Sequence, residues 1–211
     1  MRIAVLGGTG SFGKALAARL AAVGDDEIVI GSRDAARAEE TARELGGGKV
    51  TGATNADAVA GADLAVLAVK AEGALDTARD VAAALGETPL LSVASAIRFE
   101  KGVGMLPDPE ALSLAERIQQ VVAAPVAAGL HSIAASNLEG TEPDDEDALV
   151  CGDDARAKEL ALGLAGKLVG GRALDAGPLA SARALEGLTA VIVNLNRRYK
   201  AHAGVRITGV E

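Results

Sequence analysis

Aromatic side chains, cysteine and excess positive charge are scarce in this chain, and each scarcity excludes a class of protein. The 211 residues include no tryptophan, two phenylalanines and one tyrosine, so the core must be built from aliphatic side chains. A formal net charge of −8 and the lack of stacking rings make nucleic acid and anionic membranes unsuitable partners. The single cysteine, Cys151, cannot form an internal disulfide, which favours a reducing, cytoplasmic environment.

Long hydrophobic runs are missing as well. No apolar run is long enough to span a bilayer, and the N-terminal residues enter a strand directly, so we expect no membrane segment and no signal peptide. Hydrophobic residues make up 49% of the chain and charged residues 24%, which is typical of a globular protein. A chain of this length forms one domain, or one domain with a smaller appendage.

Glycine is abundant, and three glycines near the N-terminus carry the first functional signal. An apolar run at residues 1–6 leads into a turn in which Gly8, Gly10 and Gly13 occupy the positions of G-x-G-x-x-G. The helical pattern that follows places four apolar residues on one face: Phe12, Leu16, Leu20 and Val23. A second strand is predicted at residues 28–30. Such a turn lets the backbone and the helix N-terminus approach a pyrophosphate, so we predict dinucleotide binding.

The residues after the second strand indicate which dinucleotide binds. An NAD site commonly has Asp or Glu there, roughly 20 residues past the glycines, but this chain has Ser32 and Arg33, with Arg37 one helical turn on. A hydroxyl and two guanidinium groups suit a 2′-phosphate, since a hydrogen bond to a charged group contributes about 1.5–3 kcal/mol. We therefore predict NADP. The alternative is that the arginines only pair with Asp34 and Glu40 on the helix surface.

Strand and helix patterns alternate along the next part of the chain. Further strands are predicted at residues 49–51, 63–69, 89–93 and 125–130. Helices are predicted at residues 34–45, from residue 54 onward, at 71–85 and at 112–122. Residues 94–109 contain glycines and prolines and are predicted to form a long loop beside a binding crevice. This alternation predicts an α/β fold, a Rossmann-like, doubly wound and mostly parallel sheet.

An acidic segment divides the sequence. Six of the nine residues 139–147 are Asp or Glu, but no His or Cys is spaced to share a metal with them, so we predict a solvated linker and no metal site. Two more strands and two helices follow. We predict a dinucleotide-binding domain at residues 1–138 and a small C-terminal α/β domain at residues 139–211, which completes the cleft and contributes a dimer interface.

Four short motifs resemble a known family. They are GGTG at residues 7–10, LHSI at 130–133, LVCGDD at 149–154 and LDAGPL at 174–179. On these motifs the chain is similar, over nearly its whole length, to the NADPH-dependent reductases of coenzyme F420. The resemblance implies two domains around a cleft, usually in a homodimer, and hydride exchange between nicotinamide C4 of NADP and C5 of the deazaflavin F420.

The resemblance also implies a set of site residues. The family's 2′-phosphate contacts fall on Thr9, Ser32, Arg33 and Arg37. The full set of predicted cofactor-binding residues is Gly8, Thr9, Gly10, Ser11, Phe12, Gly13, Ser32, Arg33, Arg37, Ala68, Val69, Lys70, Ala94, Ser132, Ile133 and Ala176. His131 is predicted to position the deazaflavin or the nicotinamide amide, with a purely structural role as the alternative. Hydride transfer between two bound rings needs orientation and water exclusion more than an acid/base pair.

Two strand-end segments depart from the family pattern. Val93 and Ala96 stand where the family usually has prolines after the fifth strand, and Lys70 and Gly73 replace a proline and a histidine after the fourth. The acceptor pocket is therefore expected to be altered. Two other functions stay open: an NADPH-dependent reductase of another small acceptor, such as a flavin, a ferric complex or an oxo acid, and a non-catalytic NADP sensor.

Overall fold

The computed structural model of the protein describes residues 1–105, 112–140 and 142–210. These residues contain ten strands and eight α-helices. The strands are β1 Arg2–Leu6, β2 Glu27–Ser32, β3 Val50–Thr54, β4 Leu64–Leu67, β5 Leu90–Ser92, β6 Arg98–Glu100, β7 Val103–Met105, β8 Val126–Gly129, β9 Ala148–Gly152 and β10 Ala173–Asp175. The helices are α1 Ser11–Val23, α2 Ala35–Glu44, α3 Asn55–Ala58, α4 Ala71–Leu85, α5 Leu114–Gln119, α6 Ala135–Leu138, α7 Ala155–Ala165 and α8 Ala182–Tyr199. A 3₁₀ turn, Leu179–Ser181, leads into α8.

Eight of the strands form one sheet in the order β10-β9-β8-β5-β4-β1-β2-β3. Strands β1 to β5 and β8 run parallel to one another. Strand β9 pairs antiparallel with β8, and β10 is parallel to β9. The carboxyl ends of six strands therefore share one edge of the sheet, while β9 and β10 end at the opposite edge. This topology confirms the predicted doubly wound, mostly parallel sheet.

Each central strand buries both of its faces. In β1, Ile3 and Val5 belong to one hydrophobic core, whereas Ala4 and Leu6 belong to a second core. Alternate residues of a strand point to opposite faces, so the two cores lie on the two sides of the sheet. This double burial is the reason that β4 consists only of apolar residues.

One helix position and one loop were predicted wrongly. Val23 was expected on the buried face of α1, but as the last helical residue it is 41% exposed. The predicted loop at residues 94–109 contains the hairpin β6–β7, whose three-residue strands are too short to give a clear alternation. Asn194 on α8 holds the hairpin, because its side chain accepts from the N–H of Gly104 at 2.7 Å and donates to the carbonyl at 3.0 Å. Pro107 and Pro109 of that prediction lie outside the described residues.

The acidic segment was predicted to be a solvated linker, but part of it is buried. Glu146 and Asp147 are buried. Asp147 accepts from the backbone N–H groups of Arg172 and Ile207, both at 2.8 Å, and pairs with the Arg172 guanidinium at 2.8 Å. Glu146 accepts from the side-chain amide of Asn137 at 3.1 Å. These carboxylates tie the C-terminal tail to the end of the sheet, which no local pattern reveals.

The C-terminal part of the chain extends the same sheet rather than forming a second one, because β9 pairs directly with β8. The division at residue 138 stays a prediction. Within the described ranges, no helix combines the length and the apolar character needed to cross a bilayer.

Candidate functional site

The glycine turn between β1 and α1 is a tightly closed loop. The N–H of Gly8 donates to the carbonyl oxygens of Val5 and Gly31 at 3.1 and 3.0 Å, and the N–H of Gly10 donates to that of Gly7 at 2.9 Å. Gly7 has φ +75°, which favours glycine. A Cβ at Gly13 would lie 2.8 Å from Gly7 O and Gly8 Cα, so only glycine lets α1 start this close to the strand.

Gly10 differs from the other glycines of the motif. Among the described residues, a Cβ at Gly10 would meet only Gly7 O, at 3.3 Å. Gly10 is the N-cap of α1, and neither a side-chain cap nor an acidic residue in the first turn occupies the helix N-terminus. The N–H groups there point toward the cleft with the positive end of a 13-residue helix behind them. The turn therefore fits a pyrophosphate.

The residues after β2 form a corner with groups that could bind an anion. The Asp34 carboxylate accepts from the N–H groups of Ala36 and Arg37 at 3.0 and 3.3 Å, which caps α2. Asp34 is thereby occupied by the backbone, and within the described ranges neither Arg33 nor Arg37 makes an ion pair. The alternative role of these arginines, pairing along the helix surface, is not what the structure shows. Two unpaired guanidinium groups beside Ser32 suit a phosphate dianion.

A cleft of about 730 Å³ at the carboxyl edge of the sheet collects most of the predicted site. Ten predicted cofactor-binding residues line it: Thr9, Gly10, Ser11, Phe12, Ser32, Arg33, Arg37, Ala68, Val69 and Lys70. Gly8 lies in the turn beneath them, and Gly13 lies in the first turn of α1. The chain brings these residues together because β1, β2 and β4 are neighbours that end at the same edge.

Asn55 is a site residue that the sequence reading missed. It follows the carboxyl end of β3, lines the cleft, and accepts from the N–H of Gly7 through Oδ1 at 3.3 Å. A polar residue directly after a parallel strand is a detectable signal, but here Asn55 was absorbed into the expected start of a short helix.

One wall of the cleft is acidic. Glu72, Asp76 and Asp80 lie at intervals of four residues on α4, and all three line the cleft. Asp76 also pairs with Arg79 at 2.9 Å. Because these carboxylates repel phosphate, anion binding in the cleft is confined to the side formed by the glycine turn and the end of β2.

Buried polar groups cluster where β5 and β8 end. The side-chain oxygens of Ser92 and Ser132 and both ring nitrogens of His131 find no hydrogen-bond partner among the described residues. Burial lowers the pKa of His131 to about 4, although the nearby Ala94 carbonyl acts in the opposite direction. The imidazole is therefore neutral at physiological pH. Since buried polar groups are nearly always paired, these atoms suit the polar groups of a ligand.

A hydrogen-bonded chain links this region to α8. The Thr189 hydroxyl donates to the carbonyl of His131 at 2.8 Å and lies 2.7 Å from the Ser95 hydroxyl. Leu130, which precedes His131, has φ +65°, a conformation that costs a non-glycine residue roughly 1–3 kcal/mol. The surrounding packing offsets this cost and fixes the direction in which the chain leaves β8.

Besides Gly8 and Gly13, five predicted residues lie outside the lining of the main cleft. Ala94, His131, Ser132 and Ile133 follow β5 and β8, at the same edge as the cleft but nearer the C-terminal half of the sheet. Ala176 follows β10, which ends at the opposite edge because β9 and β10 run against the other six strands. The structure therefore does not bring Ala176 together with the rest.

Comparison with known sequences agrees with this geometry. The model of the family described as NADP oxidoreductase, coenzyme F420-dependent, matches residues 2–96. The F420-dependent NADP reductase of Methanothermobacter thermautotrophicus is 39% identical over all of this chain and 96% of its own length. The enzyme of that name from Methanocaldococcus jannaschii is 34% identical over the full length of both chains.

Solved structures extend the comparison. A crystal structure from Arthrobacter sp. FB24 assigned to the F420-dependent NADP reductases has a TM-score of 0.85 and 29% identity, and the match covers 99% of each chain. Pyrroline-5-carboxylate reductase from Coxiella burnetii, at 16% identity and a TM-score of 0.66, matches 94% of this chain and 66% of its own, and shares the fold alone. The glycine turn, the two arginines and the identity over the whole chain lead to one conclusion: the protein belongs to the family of F420-dependent NADP reductases.

Proposed function

We propose that this protein transfers a hydride between NADP(H) and the deazaflavin coenzyme F420. The observation that carries the proposal is the presence, in one cleft, of an open dinucleotide turn and two unpaired arginines. This cleft belongs to a chain that is similar over its whole length to proteins named F420-dependent NADP reductases. The direction of transfer in the cell is set by the concentrations of the two couples.

The adenosine end of NADP lies over β2 in this proposal. Thr9, Ser32, Arg33 and Arg37 hold the 2′-phosphate, while the N–H groups at the start of α1 hold the pyrophosphate. Because Gly10 offers no Cβ, the diphosphate can approach the backbone closely. The acidic wall on α4 keeps phosphates on the opposite side of the cleft, so the dinucleotide has one favoured orientation.

The nicotinamide end extends from the turn toward β4 and β5, away from the arginines. Ala68, Val69 and Lys70 border it there, and Ala94, Ser132 and Ile133 follow the next strands of the sheet. NADP and F420 themselves supply the hydride donor and acceptor carbons. The protein's part is to orient the two rings and to exclude water. Neutral His131 is a positioning group for a ring amide, and Ala176 is left out of the site.

The acceptor side departs from the family at Lys70, Gly73, Val93 and Ala96. Gly73 and Lys70 both line the cleft, so these changes lie where they alter the space for the second ring. A different small acceptor is therefore the second function to be tested.

We propose further that the protein is a cytoplasmic homodimer and that residues 139–211 act as the small domain. A surface formed by the hairpin and α8 supports self-association, because six large apolar side chains on it are 38% to 66% exposed: Phe99, Val103, Met105, Val191, Leu195 and Tyr199. Sedimentation velocity at several concentrations decides this point. A monomer at every concentration would refute the dimer.

The activity is tested by following the absorption band of oxidised F420 in the presence of NADPH, with NADH as the matched control. We expect bleaching with NADPH and little with NADH. Free flavins, ferric complexes and oxo acids are assayed in parallel. Turnover of one of these without turnover of F420 would replace the proposed acceptor, and tight NADPH binding without any turnover would make the protein a sensor.

A further inference from the structure

Three polar side chains of α8 contact the chain segment that follows β5: Thr189, Asn194 and Arg197. Glu186 lies about one helical turn before Thr189. The hydroxyl of Thr189 contacts that of Ser95, and Asn194 hydrogen-bonds both backbone groups of Gly104 in the hairpin. Arg197 donates to the Gly102 carbonyl and lies 4.3 Å from the centre of the Phe99 ring.

Glu186 differs from these three side chains because it is buried. Only 2% of the residue is exposed, and its Oε1 accepts from the N–H of Ala115, at the start of α5, at 3.2 Å. Burial raises the pKa of Glu186 to about 7, while the N–H groups of Ala115, Leu114 and Ala96 act in the other direction by holding the charged form. The carboxyl group thus contacts the start of α5, and Ala96 of the segment after β5 packs in the same hydrophobic core as Ala182 and Leu185 of α8.

The segment after β5 borders the acceptor side of the cleft. Strand β5 lies next to β4, and the residues directly after β4 line the cleft. The turn that fits the pyrophosphate lies on the other side of β4, after β1. A dinucleotide whose adenosine lies over β2 reaches β5 with its nicotinamide end. A ring that receives hydride must stack on that end, so the position of residues 94–97 decides how much space the acceptor has.

We propose that Glu186 is a positioning residue for the hydride acceptor: its buried carboxyl group fixes α8 against the start of α5, and α8 in turn contacts the segment after β5 through Thr189 and Ser95. A carboxyl group is costly to bury unless it is hydrogen-bonded, and the N–H of Ala115 supplies that bond to Glu186. The inference rests on the proposed function.

The test compares Glu186→Gln with Glu146→Gln. Both glutamates are buried and have a raised pKa, but among the described residues Glu146 accepts from Asn137 on α6 and has no hydrogen bond with α5 or α8. In Glu186→Gln the amide NH₂ can face the backbone N–H groups that the carboxylate accepts from, and two donors cannot bond to each other. We therefore expect KM for F420 to rise about tenfold, the factor that corresponds to roughly 1.4 kcal/mol. The Kd of NADPH should change less than about twofold, because the adenosine end is distant. Glu146→Gln should change neither constant.

Hydrogen–deuterium exchange supplies a measurement that does not need F420. In Glu186→Gln the amides of Ala96 and Ala115 should exchange faster than in the wild type, and in Glu146→Gln they should not. Should Glu186→Gln fail to fold, Glu186→Asp, shorter by one methylene, takes its place with the same expectations.

Two results would overturn the inference: an unchanged KM for F420 with unchanged exchange, or an equal loss of F420 and NADPH binding, which would indicate a general structural role. If the wild-type protein does not turn over F420, the proposed function fails, and the exchange measurement still decides whether Glu186 holds the two segments.

Discussion

At the scale of single residues, cofactor choice depends on what Asp34 does. An acidic residue beside two arginines could neutralise them, but the Asp34 carboxylate accepts hydrogen bonds from the backbone at the start of α2. Local capping therefore leaves the guanidinium groups of Arg33 and Arg37 available. The sequence showed the arginines, and the helix cap explains why Asp34 does not pair with them in the described part of the chain.

Replacing Arg33 and Arg37 together with alanine should weaken NADPH binding by at least about 100-fold, since the 2′-phosphate loses charge-assisted bonds worth about 1.5–3 kcal/mol each. NADH lacks this phosphate, so its affinity should hardly change. Isothermal titration with both nucleotides measures the difference. Arg43→Ala, on the exposed side of the same helix α2, is the matched control. Equal losses for NADPH and NADH would show that the arginines do not bind the phosphate.

At the scale of one element, the start of α1 uses its glycines for two different purposes. Gly13 makes room for the helix to lie against its own turn, because any Cβ would meet backbone atoms at 2.8 Å. Gly10 leaves space for a ligand, since a Cβ there meets one backbone oxygen at 3.3 Å. One motif thus serves folding and binding at separate positions.

Valine at these two positions should separate the two purposes. Gly10→Val should abolish NADPH binding and leave the midpoint of thermal unfolding close to the wild-type value, since Gly10 has φ −78°, which other residues adopt. Gly13→Val should destabilise the fold by about 1–3 kcal/mol through overpacking, lowering the midpoint by roughly 2–4 °C for each kcal/mol. Calorimetry with and without NADPH measures both. Retained NADPH affinity in Gly10→Val would place the diphosphate elsewhere.

At the scale of the whole molecule, the C-terminal tail is fixed by buried charge. The Arg172 guanidinium donates to the Ile207 carbonyl at 2.5 Å and to the carbonyl of Val210, and its partner Asp147 is 0% exposed. The tail thus covers the end of the sheet formed by β9 and β10. Glu146, next to Asp147, accepts from Asn137 of α6. This bond joins the residues before β9 to the segment that follows β8.

This arrangement makes the attachment of the C-terminal tail sensitive to acid. The Arg172 guanidinium and the N–H groups of Ile207 and Arg172 hold the pKa of Asp147 far below its ordinary value of 3.8. Because the folded-state pKa is depressed, the stabilisation is present above the ordinary value and is lost as the pH falls through the folded-state value. Asp147→Asn should therefore unfold at a lower temperature than the wild type at pH 7, with a difference that shrinks in acid.

Thermal unfolding as a function of pH checks this expectation, and limited proteolysis of residues 203–210 reports on the tail directly. Asp145→Asn is the matched control, because Asp145 lies two residues away and pairs with Arg206 at an exposed site. We expect the control to unfold like the wild type. A difference between Asp147→Asn and the wild type that is the same at every pH would contradict the role given to this carboxylate.

The sequence by itself determined the order of strands and helices, the glycine turn and the corner of candidate anion-binding groups after β2. These features depend on neighbours in the chain: residue period, glycine spacing and residues that directly follow a strand. For the same reason no local pattern indicated that Val23 is exposed, that a hairpin interrupts the long loop, or that two acidic residues of the supposed linker are buried.

Only the tertiary structure decided which strand ends meet, that β9 and β10 run against the others, and what each charged group contacts. It separated Ala176 from the cleft, added Asn55 to it, and placed Glu186 and Asp147 in the interior. The physical reason is that burial and pairing of a charge depend on partners far along the chain, such as Glu186 with Ala115 or Asp147 with Ile207. No spacing within the sequence records those contacts.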